Sequence, residues 1–260
     1  MYTVKDVMEK LEYLAPVNIA ESWDNVGVLI GADDEPVSKI MCALDINDAI
    51  VDEAIEKKVD CIVTHHPFIF SAFKKIDYNT PIGRNIRKLI MNKISVISMH
   101  TNFDSAFGGI NDIICKRLNI TGTKVLNNFG YTEHKYGLGR FGMTTPITLD
   151  ELISKVKSCF GINHLRLIGT TNQPIKTISV CSGSGSTLIG EAAAVSQVFI
   201  TGDMKFHEAQ DAISKGLVVL DVGHYASEQI AIPYLKEYIE NNIDVEVVCT
   251  KIDAEVFSLA

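Results

Sequence analysis

The feature that most constrains this 260-residue chain is the alternation, from end to end, of short apolar runs with amphipathic helical segments. Runs at Val26–Ile30, Lys39–Leu44, Cys61–Thr64 and Ser95–Met99 have the length and apolar character of strands. Between them the spacing predicts helices. One opens at Thr3 and Asp6, which form a capping box, and runs to about Leu14. A second spans about 47–57, with Asn47 as N-cap and Ile50, Val51, Ala54 and Ile55 on one face. A third starts at Thr80-Pro81, and a fourth covers about 111–118. From about residue 123 the character shifts to a glycine-spaced strand (Tyr136–Met143), a second capping box (Thr148 to Glu151) and strands at Leu165–Ile168 and Ile175–Cys181. The turn SGSGS, a helix, the strand Val198–Thr201, a helix over about 203–215 and the strand Leu217–Asp221 follow. A last helix over about 227–241 leads to the strand Val245–Cys249. Such alternation builds α/β layers. The expected fold is therefore two α/β lobes with mixed, largely parallel sheets: residues 1–124 plus 229–260, and residues 125–228.

Charge narrows the function classes. With 24 Lys+Arg against 32 Asp+Glu the net charge is −8, which argues against nucleic-acid binding, because that needs clustered cations to displace counterions. A small anionic ligand held by metal or backbone remains compatible. No apolar run approaches the ~18 residues of a membrane span, and the charged opening MYTVKDVMEK is unlike a secretion signal. The six cysteines form no CxxC pair and several lie in apolar strands, where free buried thiols are the ordinary reading. The expectation is a reduced, cytoplasmic protein.

Three segments share one layout, an apolar strand followed by a cluster of metal-ligating side chains: Cys61–Pro67 (CIVTHHP), Ser95–Asp104 (SVISMHTNFD) and Val218–Glu228 (VVLDVGHYASE). In open α/β sheets, ligands bind beyond the carboxyl ends of the strands, so the three clusters can converge on one metal site in the cleft between the lobes. His65 and His66 are adjacent, and neighbouring extended residues point to opposite sides. Two such imidazoles suit two ions better than one. His224 and Glu228 are four apart at the start of a helix, on one face. Asp104, on a loop after its strand, completes three imidazoles and two carboxylates, a set that suits Zn, Mn, Fe, Co or Ni. His100 reads as a further ligand or as an outer partner of one of the five. Each cluster taken singly also has a plain structural reading, as strand-end polar residues or helix caps.

Other residues carry two readings each. The amides of Gly183-Ser-Gly185-Ser can receive an anion or make a simple strand-to-helix turn. Asp203 and His207, also four apart, serve the site or a solvated helix face. Asp24 and Asn25 can approach the site from the WDN turn, with Trp23 read as a packing residue. His134 and His164 read as surface or packing residues, and Asp45 is left without a role.

The blocks WDNVGVLIG (Trp23–Gly31), THHP, MHTNFD, GGIND (Gly109–Asp112), TGD with a following His (Thr201–His207) and GHYASE resemble those of the Nif-three-like family, often labelled GTP cyclohydrolase I type 2 homologues. The resemblance spans nearly the whole chain. It implies that His65, His66, Asp104, His224 and Glu228 bind two metal ions. It also implies a ring-shaped homohexamer with its metal sites on an inner cavity. Longer members carry an inserted domain that a chain of 260 residues lacks. The expected function is a dinuclear metal-dependent hydrolase acting through a metal-bound hydroxide, with His100 as proton shuttle, because imidazole titrates near neutral pH. A nucleotide or other small anionic substrate fits, including ring opening of GTP. The alternative is a metal-binding or regulatory ring without turnover.

Overall fold

A computed structural model describes residues 2–130, 133 and 135–258. His134, assigned above to the surface or packing, lies outside the described residues. In chain order the first elements are β1 (Tyr2–Thr3), α1 (Val4–Leu14), β2 (Gly27–Ile30), β3 (Pro36–Val37), β4 (Lys39–Ala43), α2 (Asp48–Glu56), β5 (Cys61–Thr64), α3 (Pro81–Met91), β6 (Ser95–Ser98) and α4 (Thr101–Ser105). Next come α5 (Ile110–Arg117), β7 (Thr121–Asn127), β8 (Leu138–Ile147), α6 (Leu149–Phe160), β9 (Arg166–Ile168), β10 (Ile175–Ser184) and α7 (Ile189–Val195). The chain closes with β11 (Val198–Gly202), α8 (Phe206–Ser214), β12 (Val218–Asp221), α9 (His224–Gln229), α10 (Ile232–Asn242) and β13 (Glu246–Cys249).

The caps read from sequence start the helices they mark. Thr3 and Asp6 close a reciprocal capping box on α1, as Thr148 and Glu151 do on α6. Asn47 accepts from the Ile50 amide and Thr80 from the Gly83 amide, each satisfying a backbone donor that would otherwise lack a partner.

The chain divides into two compact units, residues 1–103 with 232–260, and residues 104–231. The first holds a five-stranded sheet of order β13-β4-β5-β6-β2, parallel except for β2. All four residues of β5 and of β6 are buried, as strands covered on both faces must be. Met41, Ile50, Val51, Ala54, Ile62, Leu89 and Val96 form the core between the sheet and helices α2 and α3. Helix α10 packs on β13 and β4, and the Tyr238 hydroxyl donates to the Lys10 carbonyl of α1.

The second unit holds a six-stranded sheet of order β7-β8-β10-β11-β12-β9. Only its centre, β10-β11-β12, is parallel; the outer pairs are antiparallel. The fold is thus mixed α/β with mixed, partly parallel sheets. Cys181, Leu188, Ala192, Phe199, Ala212 and Val219 pack the sheet against α7 and α8. Arg140 is 2 % exposed, and its guanidinium donates to the Asp112 carboxylate and to the Ala106, Gly137 and Gly139 carbonyls. These bonds fix the segment that follows α4.

Local expectations fail in four places, each with a physical cause. The last helix is two, α9 and α10, because Pro233 has no amide to continue the first and sits naturally in the first turn of the second. Strand β7 is polar and exposed along its first four residues, as an edge strand can be, so it carries no apolar signal. Asp104 lies in the single turn α4, not in a loop. The first part of SGSGS continues β10. Among the described residues, no helix is long and apolar enough to cross a membrane.

The thiols give a direct test of this packing. Burial pushes Cys61 and Cys115 up to about 12 and Cys42 and Cys181 well above their ordinary value, while Cys159 and Cys249 are half-buried. In native protein at pH 8, a water-soluble thiol reagent should label Cys159 and Cys249 and reach the other four only after denaturant is added. Labelling of Cys61 at the rate of Cys249, followed by peptide mapping, would contradict the assigned core.

Candidate metal centre

In the first unit the candidate ligands stand at the carboxyl ends of neighbouring parallel strands. His65 and His66 follow β5, and His100 follows β6. The chain bends at all three. This bend corrects the expectation that adjacent imidazoles face opposite ways: the His65 and His66 rings are 5.1 Å apart between centroids. With His100 they offer three ring nitrogens within 4.8 Å of one another.

Each ring is held through Nδ1. The Nδ1 of His65 lies 2.7 Å from the Met99 carbonyl at the end of β6. That of His66 lies 2.7 Å from the carboxylate of Asp45, just beyond β4. The two neighbours are thus anchored on opposite flanking strands. His100 Nδ1 lies 2.8 Å from Asp24, whose other oxygen accepts from the Thr101 amide and hydroxyl. Burial works against ionisation of Asp24, but the hydrogen bonds from His100 and Thr101 outweigh it and bring the carboxyl down to about 2. An acceptor at Nδ1 places the ring proton there and the lone pair on Nε2, the arrangement of metal-binding histidines.

The second unit repeats this logic at the ends of β10, β11 and β12. His224 and Glu228 lie on one face of α9, with Nε2 3.0 Å from a Glu228 oxygen. His224 Nδ1 lies 2.7 Å from Asp203. Asp203 has a φ of +56°, a conformation that aspartate tolerates better than most residues and that follows β11. Glu228, against the cost of burial and with help from Asp203, raises His224 to about 9. Asp221 at the end of β12 accepts from the Met204 amide at 3.0 Å and the Gly223 amide at 3.0 Å. One buried carboxylate therefore fixes both the turn bearing Asp203 and the turn bearing His224.

Asp104 is oriented from two sides. The Ser182 hydroxyl donates to its carboxylate at 3.0 Å, and the Asn111 amide group donates to its carbonyl at 3.1 Å while accepting from the Ser182 amide. Asp104 and Glu228 are 7 % and 3 % exposed, and each offers an oxygen within 4.8 Å of the other. Two carboxylates this close and this buried call for positive charge. Gly183 explains how they fit: a Cβ there would stand 2.2 Å from Glu228 Oε1, and its φ is +59°. Only glycine admits that approach.

The remaining sequence candidates separate cleanly. The Gly183 amide donates to Ser227 Oγ and the Gly185 amide to Thr201 Oγ1, so the SGSGS turn spends these donors within the unit rather than on an anion. His207 pairs with Gln210 on the exposed face of α8. His164 is exposed. Trp23 is 57 % exposed, so it is no core packing residue. Asp45 and Asp203 are the imidazole anchors that sequence left without a definite role, and Asp221 drew no signal at all.

Strand-end imidazoles with tethered Nδ1 atoms in one unit, and buried carboxylates with an imidazole in the other, place the chain among α/β proteins whose His, Asp and Glu side chains could hold a metal ion. The model of the family Duf34/NIF3 (NGG1p interacting factor 3) matches residues 2–255, and the chain belongs to that family. It is 35% identical over 246 residues to a GTP cyclohydrolase 1 type 2 homolog of Clostridium perfringens, covering 94% of each chain. It is 36% identical over 239 residues to the protein of that name from Clostridium acetobutylicum, covering 91% of this chain and 89% of the other. A Staphylococcus aureus hypothetical protein of known crystal structure shares the fold with a TM-score of 0.89 at 30% identity, 99% of each chain being covered.

The Gly183 contact yields a test. Gly183→Ala should push the Glu228 carboxylate aside and weaken divalent-ion binding about 10–100-fold, the usual cost of disturbing groups that orient ligands. Gly190→Ala, where an added Cβ meets nothing within 4 Å, should leave binding unchanged. Equal affinities for the two variants in calorimetric titrations would show that Glu228 is not held as described.

Proposed function

We propose that His65, His66, Asp104, His224 and Glu228 together bind two divalent metal ions and that the protein is a metal-dependent hydrolase. The observation that supports this most is the common tether: each of the four imidazoles, His100 included, has Nδ1 on an oxygen acceptor, so that Nε2 is the nitrogen left for a ligand, facing Glu228 in the case of His224. Nitrogen and carboxylate donors without thiolate suit Zn, Mn, Fe, Co or Ni. The buried pair Asp104 and Glu228 supplies the negative charge that holds cations. Such ions, when bound, acidify water and polarise an electrophilic centre.

The chain's own residues do the rest. Asp104, oriented by the Ser182 hydroxyl, and Glu228, given room by Gly183, would hold the ions through their carboxylates. His100 is the proton carrier: Asp24 stays ionised and fixes its Nδ1, so Nε2 is the atom that gains or loses a proton. The relatives' name supports a GTP cyclohydrolase-type ring opening as the first reaction to examine. Family membership supports a homohexamer acting in the cytoplasm. The second reading, a metal-binding or regulatory ring without turnover, uses the same ligands and differs only in outcome.

The experiment loads the protein with two equivalents of Mn or Zn, verifies mass by light scattering, and follows GTP by chromatography. Two ions per chain, a particle of six chains and metal-dependent formation of a ring-opened product are the expected results. Asp104→Ala should hold at most one ion and lose turnover by at least about 10²-fold. Two ions retained at full occupancy by Asp104→Ala would overturn the ligand assignment. Release of phosphate would redirect the reaction to phosphoester hydrolysis, and absence of turnover with both ions bound would favour the regulatory ring.

A further inference from the structure

Beside the imidazoles of the first unit stand two aromatic side chains that its core does not use. Trp23 is 57 % and Phe70 is 55 % exposed. Their ring centroids are 5.8 Å apart with planes inclined at 58°, so neither ring covers the other's face. Both meet His100 edge-on, Trp23 at 6.0 Å and Phe70 at 6.5 Å between centroids. Large apolar side chains left in water at one spot mark a binding surface more often than an accident of packing.

These rings are also held in place. The Asn25 side chain donates to the Ile69 carbonyl at 2.6 Å, tying the turn that bears Trp23 to the segment that bears Phe70. Asp24, next to Trp23, is anchored on His100 and Thr101. Both rings therefore sit on segments fixed relative to the same imidazole, and presenting them costs little ordering on binding.

We propose that Trp23 and Phe70 form an angled aromatic platform for a flat heteroaromatic ring of the ligand, which stacks on one ring, meets the other at a tilt and presents its edge to His100. A purine is a ring of suitable chemistry: its faces are apolar and polarisable, and its edge carries nitrogens and oxygens that an imidazole can meet. A second copy of the chain laying apolar side chains here would instead bury His100 against groups that cannot pair with it. This deepens the hydrolase reading by naming what part of the substrate is gripped, and it rests on that reading only for the reaction that follows.

Trp23 is the chain's one tryptophan, so intrinsic tryptophan emission reports on this position alone. Guanosine, adenosine and inorganic triphosphate are titrated into metal-free and metal-loaded protein, with metal binding followed separately by calorimetry. Saturable quenching by both nucleosides and none by triphosphate is expected. Phe70→Ala, an exposed site where folding is not at stake, should weaken nucleoside binding about 5- to 100-fold while leaving metal content unchanged. Unchanged emission with millimolar nucleoside, or equal quenching by triphosphate, would overturn the platform. So would emission insensitive to ligand that shifts with protein concentration, which marks a contact between copies. Failure of calorimetry to detect any metal uptake while nucleosides still quench would sink the metal-centre reading and leave the platform standing.

Discussion

The hydrogen bond at Nδ1 is the interaction on which the candidate centre depends. An imidazole without it can rotate and can place its proton on either nitrogen. Tied to the Met99 carbonyl, Asp45, Asp24 or Asp203, the ring keeps one orientation and a proton on Nδ1. Three of the four acceptors are carboxylates, which also make the ring a stronger donor to a cation. The protein thus commits as many residues to aiming imidazoles as to supplying them.

Both units reach that arrangement by the same architectural means. Parallel strands end side by side, so side chains just beyond β4, β5 and β6 in one sheet, and beyond β10, β11 and β12 in the other, gather at one edge. Antiparallel strands flank each sheet on the outside. Asp221 shows the economy of this geometry: from the end of β12 it reaches the Met204 amide after β11 and the Gly223 amide before α9. In the second unit, the buried carboxylates of Asp104 and Glu228 create a local need for positive charge, which His224, raised to about 9 chiefly by Glu228, partly meets. A metal ion in that place would compete with the His224 proton, since both seek the same electrons.

Much of this was legible in the chain itself, and the rest was hidden for definite reasons. Strands and capped helices are written in local patterns, so β5, α2 and the start of α3 are readable within a residue or two. The candidate ligands also lie in short motifs at strand ends. Their anchors do not: Asp24 is 76 residues from His100, and Asp45 and Asp203 are each 21 residues from their partners. Nothing local distinguishes such an aspartate from one that caps a turn. The role of Gly183 depends on a positive φ and on a side chain 45 positions on, whereas the SGSGS motif by itself is compatible with an anion-binding turn or a plain strand-to-helix turn. Trp23 reads as a packing residue because large aromatic residues are usually buried, whereas here it is exposed on a turn that Asn25 ties to the Ile69 carbonyl.

The central claim is that imidazole nitrogens and carboxylate oxygens, with no sulfur, form the metal environment. X-ray absorption spectroscopy at the zinc edge, on protein loaded with two equivalents per chain, tests it most directly. The account predicts nitrogen and oxygen neighbours near ~2.0–2.2 Å, imidazole multiple scattering, and a second metal at ~3.5–4 Å. Sulfur scattering near ~2.3 Å, or a shell lacking imidazole, would contradict it.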